Sequence, residues 1–276
     1  MKAVTEAPER GGRGGGGSKE GHREHRARVF LLTGAYGLAL MAYLAIEPTQ
    51  VWLLLLLALL AALGTDGIVR AHPHSAFRRL DDTTLHLFLP VMYALGSAIF
   101  LESVVGSYWS VPAALAMAIP FAGVVHSEYV SVDQADEGYH TARVLLNMVT
   151  YLTAFLFFAT IYREDVELNL LVRTVAVGVV AMLLAVDVLR EEALEAPRTL
   201  LYSLVVGALV SQAAWGTHFL PLESNSAAVF LLLAFYLVTG LLHQYLGERL
   251  DVRTATEFGG IASLGMAAVV AAHRLV

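Results

Sequence analysis

The chain has 276 residues, 57% of them hydrophobic and only 15% charged, with a mean hydropathy of +0.63. A soluble domain of this size does not carry that much apolar surface, so the composition points to a membrane protein. Cysteine is absent, which excludes disulfides, thiolate ligation of metal or haem, and S-palmitoylation, and the net charge of −6 offers no general attraction for nucleic acid.

The first segment, residues 1–28, is Gly/Arg-rich and holds seven basic residues against four glutamates, a local charge of +3 that leaves −9 for the rest. It is predicted to be a disordered cytoplasmic tail, and its Glu9-Arg10-Gly11-Gly12-Arg13 stretch is similar to RGG-type segments. The only two lysines, Lys2 and Lys19, fall in it. The remainder therefore has no lysine for a Schiff base, which excludes a retinal-type pigment and lysine-based covalent catalysis. The N-terminus shows no apolar core with a small-residue cleavage site, so the first apolar stretch is expected to serve as its own insertion signal.

Long apolar stretches follow near 29–46, 51–70, 84–104, 109–126, 141–162, 168–189, 199–219, 227–246 and 255–273. A helix needs roughly 20 apolar residues to cross the hydrocarbon core. The predicted fold class is an all-α, polytopic helical membrane bundle of eight to nine transmembrane helices, with residues 29–276 as one domain. The ninth stretch is the weakest, because it is short, begins beside Glu257 and contains Gly259, Gly260 and Gly265. The leucine-rich run from Val51 to Leu63 is expected to face lipid. With the N-terminus inside, fifteen of the eighteen Lys/Arg fall on the cytoplasmic side and three, Arg163, Arg173 and Arg274, on the other. The expected location is the cytoplasmic membrane of a prokaryote. Trp52, Trp109, Trp215 and Tyr108 fall near the predicted outer ends as an aromatic belt.

Polar side chains inside such stretches are the functional candidates, because each is costly in hydrocarbon. Asp66 and Arg70, spaced i,i+4, end the second stretch and precede His72-Pro73-His74. His86, Pro90, Tyr93 and Ser97 share a face of the third. His126 and Glu128 close the fourth. On the fifth, Glu137, His140, Arg143, Asn147 and Tyr151 fall within about 120° of one another, a polar stripe running inward for roughly 20 Å. Asp187, Arg190 and Glu191 end the sixth. Ser203, Gly207 and Ser211 form a small-residue packing row on the seventh, and Gly34 and Gly37 on the first and Gly259 and Gly260 on the ninth read the same way. His243 closes the eighth. Arg143 is expected to pair with Asp66 or Asp187 across the bundle.

His126-x-Glu128 and Glu137-x-x-His140 together offer His126, Glu128, Glu137 and His140 as ligands for a divalent metal. The second spacing resembles half of the carboxylate-bridged di-metal sites of helical bundles. The plainer reading is interfacial residues that cap a helix and neutralise Arg143. Asp66-Gly67-Ile68-Val69-Arg70 resembles the opening of the CDP-alcohol phosphatidyltransferase signature, but Leu63 stands where that signature needs an aspartate. No complete catalytic motif is present, and catalytic residues stay unassigned. The expected function is a non-enzymatic membrane component, either a complex subunit or a carrier of a small solute or lipid, with a polar site open to the cytoplasm. The alternatives are a metal-dependent enzyme acting on a lipid or isoprenoid at the cytoplasmic leaflet, and a haem-binding redox subunit using paired histidines. Expected partners are the bilayer, other membrane proteins or further copies of the chain, and no nucleic acid.

Overall fold

A computed structural model of the chain describes residues 17–46, 51–72, 80–105, 109–133, 135–163, 166, 168–190, 196–220, 222–247 and 251–273. Residues 1–16 of the predicted tail, Pro73, His74, Arg78, Arg79, Tyr108, Glu191 and Arg274 lie outside them. The described residues form nine helices and no strand: α1 (Gly17–Ala45), α2 (Val51–Arg70), α3 (Leu80–Val104), α4 (Ser110–Val130), α5 (Tyr139–Ile161), α6 (Leu170–Leu189), α7 (Ala196–Thr217), α8 (Ser224–Leu246) and α9 (Val252–His273). All except α9 contain a stretch long and apolar enough to cross a membrane, eight in total.

α1 starts well ahead of the predicted first span. Residues from Gly17 on are helical, so the second half of the segment read as a disordered tail continues into the bundle. Its charged residues are good helix formers, and Glu24 and Arg28 lie i,i+4 with 4.0 Å between their charged atoms.

α3 and α5 occupy the middle. α3 packs against α1, α2, α4, α5 and α6, and α5 against α3, α4, α6 and α8. α6 is the most enclosed of the eight apolar helices, and α1 and α2 are the least. The sequence explains the difference. α2 presents Trp52, Leu55, Leu56, Leu59 and Leu63 outward as an uninterrupted apolar face. α1 turns a single stripe inward, Leu32, Tyr36, Leu40 and Tyr43, at i, i+4, i+8 and i+11. Its two tyrosines reach polar partners on α3. Tyr36 Oη lies 2.6 Å from Ser97 Oγ, and Tyr43 donates to Glu102.

Two prolines interrupt the helical ladders of α3 and α4. Pro120 lacks an amide, and its ring crowds the carbonyls of the preceding turn. In that turn the Tyr93 hydroxyl donates to the Met117 carbonyl at 2.9 Å, an outside donor for a loosened helix. Pro90 likewise removes the amide that would bond the carbonyl of His86, so α3 is loosened at the residue that enters the site described next.

α6 and α7 meet through glycine. A Cβ added at Gly207 would stand 2.6 Å from the Gly178 carbonyl oxygen, and Ser211 donates to the Thr174 carbonyl at 3.1 Å. The predicted row of Ser203, Gly207 and Ser211 is thus a close-packing face. Gly34, Gly259 and Gly260, read from sequence in the same way, have open space where a Cβ would go. α9 runs antiparallel beside α8, since Phe258 lies over Gly240 and Leu233 over Gly265, so higher numbers on one helix meet lower numbers on the other.

Candidate functional site

Four helices bring ionisable groups together at one end of the bundle. Glu128 lies near the C-terminal end of α4, and Asp187 and Arg190 lie at the C-terminal end of α6. His86 is in the first turns of α3, and Thr150 is on the inward face of α5. Glu128 is fully buried, and the Asp187, Arg190 and His86 side chains are 2%, 6% and 14% exposed. Arg190 Nη2 donates to both Glu128 oxygens, at 2.7 and 2.8 Å. His86 Nδ1 lies 2.8 Å from Glu128 Oε2, and against a carboxylate that nitrogen is the donor. The same Arg190 nitrogen stands 3.0 Å from Asp187 Oδ1, a charge contact without hydrogen-bond alignment. Thr150 donates to the other Asp187 oxygen at 3.0 Å. Arg143 adds its positive charge to the field at Asp187.

One guanidinium nitrogen therefore bridges two buried carboxylates from different helices. Arg190 also caps the C-terminus of α6, where the helix dipole favours a cation. Glu128 and Asp187 thus face Arg190, with Arg143 further out and His86 beside Glu128.

The polar stripe of α5 divides along its length. Glu137 and His140 are exposed at its outer end. Arg143 is half-buried, its Nε 3.3 Å from the Tyr139 hydroxyl and its Cζ 5.4 Å from the Tyr139 ring centroid. Asn147 is half-buried. Tyr151 reaches α8, with its hydroxyl 3.2 Å from Thr239 Oγ1 and its ring edge-on to Phe235 and Tyr236. Of the two charge partners expected for Arg143, Asp66 bonds Arg70 Nε on its own helix at 2.8 Å, and Asp187 takes Arg190 as its closest cation.

His126, Glu128, Glu137 and His140 do not converge. Residues two apart on a helix point about 200° apart. Glu128 accordingly turns into the bundle, and His126 turns out toward α1. There its Nδ1 lies 3.1 Å from His25 Nε2, and the His25 ring stacks on Tyr129 at 3.7 Å. Among the described residues, no group of three or more His, Asp or Glu side chains is placed to hold a metal ion. The histidine contact was missed from sequence because His25 falls in the segment read as a tail. The joining of Glu128 to Arg190 was missed as well. The available signal was depth, since His86, Glu128, Asp187 and Arg190 all sit at the same end of their apolar stretches.

No curated protein and no solved structure matches the chain. A family model described as "Protein of unknown function (DUF5656)" matches residues 46–272. That range takes in α2 to α8 and all but the last residue of α9, and with them His86, Glu128, Thr150, Asp187 and Arg190, while α1 with His25 precedes it. The match covers well over half of the chain, which therefore belongs to the DUF5656 family.

Proposed function

We propose that the protein is a multi-pass integral membrane component, non-enzymatic in itself, whose buried ion network fixes α3, α4, α5 and α6 against one another at the cytoplasmic end of the bundle. The observation that carries this reading is Glu128. It is sealed from solvent, both its oxygens are held by Arg190, and one is also held by His86. Those contacts hold helices together and leave the carboxylate turned away from any substrate. Function then falls to the outer surfaces, as a subunit of a larger complex or as a carrier of a small solute or lipid. The exposed Glu137 and His140 and the half-buried Arg143 form the polar entrance on the cytoplasmic side.

The bilayer assignment rests on the eight apolar helices and on their outward faces, where Phe30, Leu38, Leu55, Leu63, Ile119, Leu171 and Leu204 are all more than half exposed. Such a belt far exceeds the apolar patches of a soluble monomer. The orientation rests on the lopsided Lys/Arg distribution.

The test is the metal content and visible spectrum of gently purified protein beside a Glu137→Ala/His140→Ala variant. The proposal expects neither stoichiometric metal nor a haem band in either protein, with the native chain recovered from the membrane fraction. Metal near one per chain that the double substitution removes would replace the proposal with a metal-dependent membrane enzyme. A haem band would replace it with a redox subunit.

A further inference from the structure

At the end of α6 remote from Asp187 and Arg190, a cavity of about 220 Å³ opens between the first turns of α6 and α8 and the last turn of α7. Its polar lining is Arg173, Tyr162, Thr217, His218 and Ser224. Arg173 and His218 come from α6 and from the end of α7, and the fold brings them to one cavity.

Arg173 has no carboxylate partner among the described residues, and its Nε is buried without a hydrogen-bond acceptor. Its Cζ stands 5.1 Å from the Tyr162 ring centroid, a cation–π contact that orients the guanidinium without supplying a negative charge. Tyr162 is itself fixed, with its hydroxyl 2.8 Å from Thr217 Oγ1 and 3.1 Å from the Ala214 carbonyl. A phenol is neutral near pH ~7, so Tyr162 supplies no negative charge to Arg173.

Two helix N-termini meet the same space, and they differ. Asn169 caps α6 by accepting from the Val172 amide at 2.8 Å, whereas Glu223, exposed at the N-cap of α8, makes no side-chain cap. The first-turn amides of α8 beside Ser224 therefore present donors and a positive dipole end without a side-chain acceptor. A guanidinium with a buried, unsatisfied Nε, a helix start without a side-chain cap, the Ser224 hydroxyl and an exposed imidazole call for an oxyanion. The cavity is smaller than the roughly 300–1,000 Å³ of pockets that take whole drug-sized ligands, so it suits a compact anionic group.

We propose that this cavity is a binding site for a phosphate-type oxyanion, held by Arg173 and the N-terminus of α8, at the end of the bundle opposite the Glu128 network. The anion is either a free phosphate or the head group of an anionic lipid. The experiment uses the full chain in zwitterionic detergent and follows its melting temperature and equilibrium binding. Inorganic phosphate is added in one arm, and a short-chain phosphatidic acid in the other. Binding in both arms identifies the oxyanion alone as the ligand, and binding only of the lipid identifies a head group with its acyl chains.

In either case Arg173→Gln should lose about tenfold or more in affinity, as removal of a charge-assisted contact does. Arg253→Gln, on exposed α9, should leave binding unchanged. Ser224→Asp, which tethers a carboxylate in the cavity, should raise the melting temperature without ligand and abolish the response to added anion, and it carries the test should Arg173→Gln fail to fold. No binding in either arm, or equal binding by the native chain and the Arg173→Gln or Ser224→Asp variant, overturns the proposal.

Discussion

Glu128 tolerates complete burial because its lone pairs are already committed. An isolated carboxylate taken out of water costs several kcal/mol, and an ion pair offsets this only when its geometry satisfies both partners. Arg190 does this for Glu128 and sets the same nitrogen 3.0 Å from Asp187, so its removal takes the nearest guanidinium from both carboxylates. Arg190→Met is expected to destabilise the fold by about 3–5 kcal/mol, read as a shift in thermal or denaturant unfolding in detergent. Combining it with Glu128→Gln should cost less than the sum of the two single changes, since the second removes the charge that the first stranded. Strict additivity would mean that the two side chains do not interact. Thr150→Val, which strips one donor from Asp187, is expected to cost about 1–3 kcal/mol by the same measurement. Asp187 was legible in the sequence, being a short acid deep in an apolar stretch with no reach to the surface. Its partners were less so. Arg190 lies three residues on, but Glu128 arrives from another helix, and no spacing within one helix foretells which neighbour it will face.

Between helices, packing decides more than hydrophobicity. Lipid is as apolar as leucine, so apolar helices gain little from leaving it and associate instead through close fit and polar contact. Gly207 provides that fit, with the Gly178 carbonyl 2.6 Å from where a Cβ would stand. Backbone cannot swing aside as a side-chain tip can, so Gly207→Val should part α6 from α7 at a cost of about 1–3 kcal/mol. Gly34→Ala, placed in open space, should be neutral or stabilise by up to about 1 kcal/mol through helix propensity alone. Matched unfolding curves for the two variants check the contrast, and equal losses would mean that the α6–α7 contact is looser than described. The small-residue row on α7 was readable because three small residues recur at intervals of four on one face. The glycines of α1 and α9 carried a similar signal and did not all meet a neighbour, because spacing gives a helix its face and not what stands opposite.

Across the whole molecule, α6 sets the scale. Arg173 and Arg190 are seventeen residues apart on or at the end of that helix, about 26 Å at 1.5 Å per residue, close to the roughly 30 Å of a hydrocarbon core. A helix with an arginine at each edge and apolar residues between fits a crossing, and the charged network and the oxyanion cavity then fall on opposite faces of the bilayer. The membrane character was plain from composition, but the meeting of Arg173 and His218 at one cavity needed the fold, since forty-five positions of chain separate them. The lack of cysteine makes the arrangement directly testable, because a single introduced thiol is the only one present. Glu137 and His218 are both exposed. With the N-terminus in the cytoplasm, Glu137→Cys in intact cells should resist a membrane-impermeant maleimide until the cells are opened, whereas His218→Cys should label at once. A cysteine appended after Val276 separates eight crossings from nine. The antiparallel run of α9 along α8 predicts that it labels in intact cells like His218→Cys, on the side opposite the N-terminus. Protection of that terminal thiol would mean that α9 turns back before crossing. Labelling of Glu137→Cys in intact cells would invert the bundle and place the Glu128 network at the outer face.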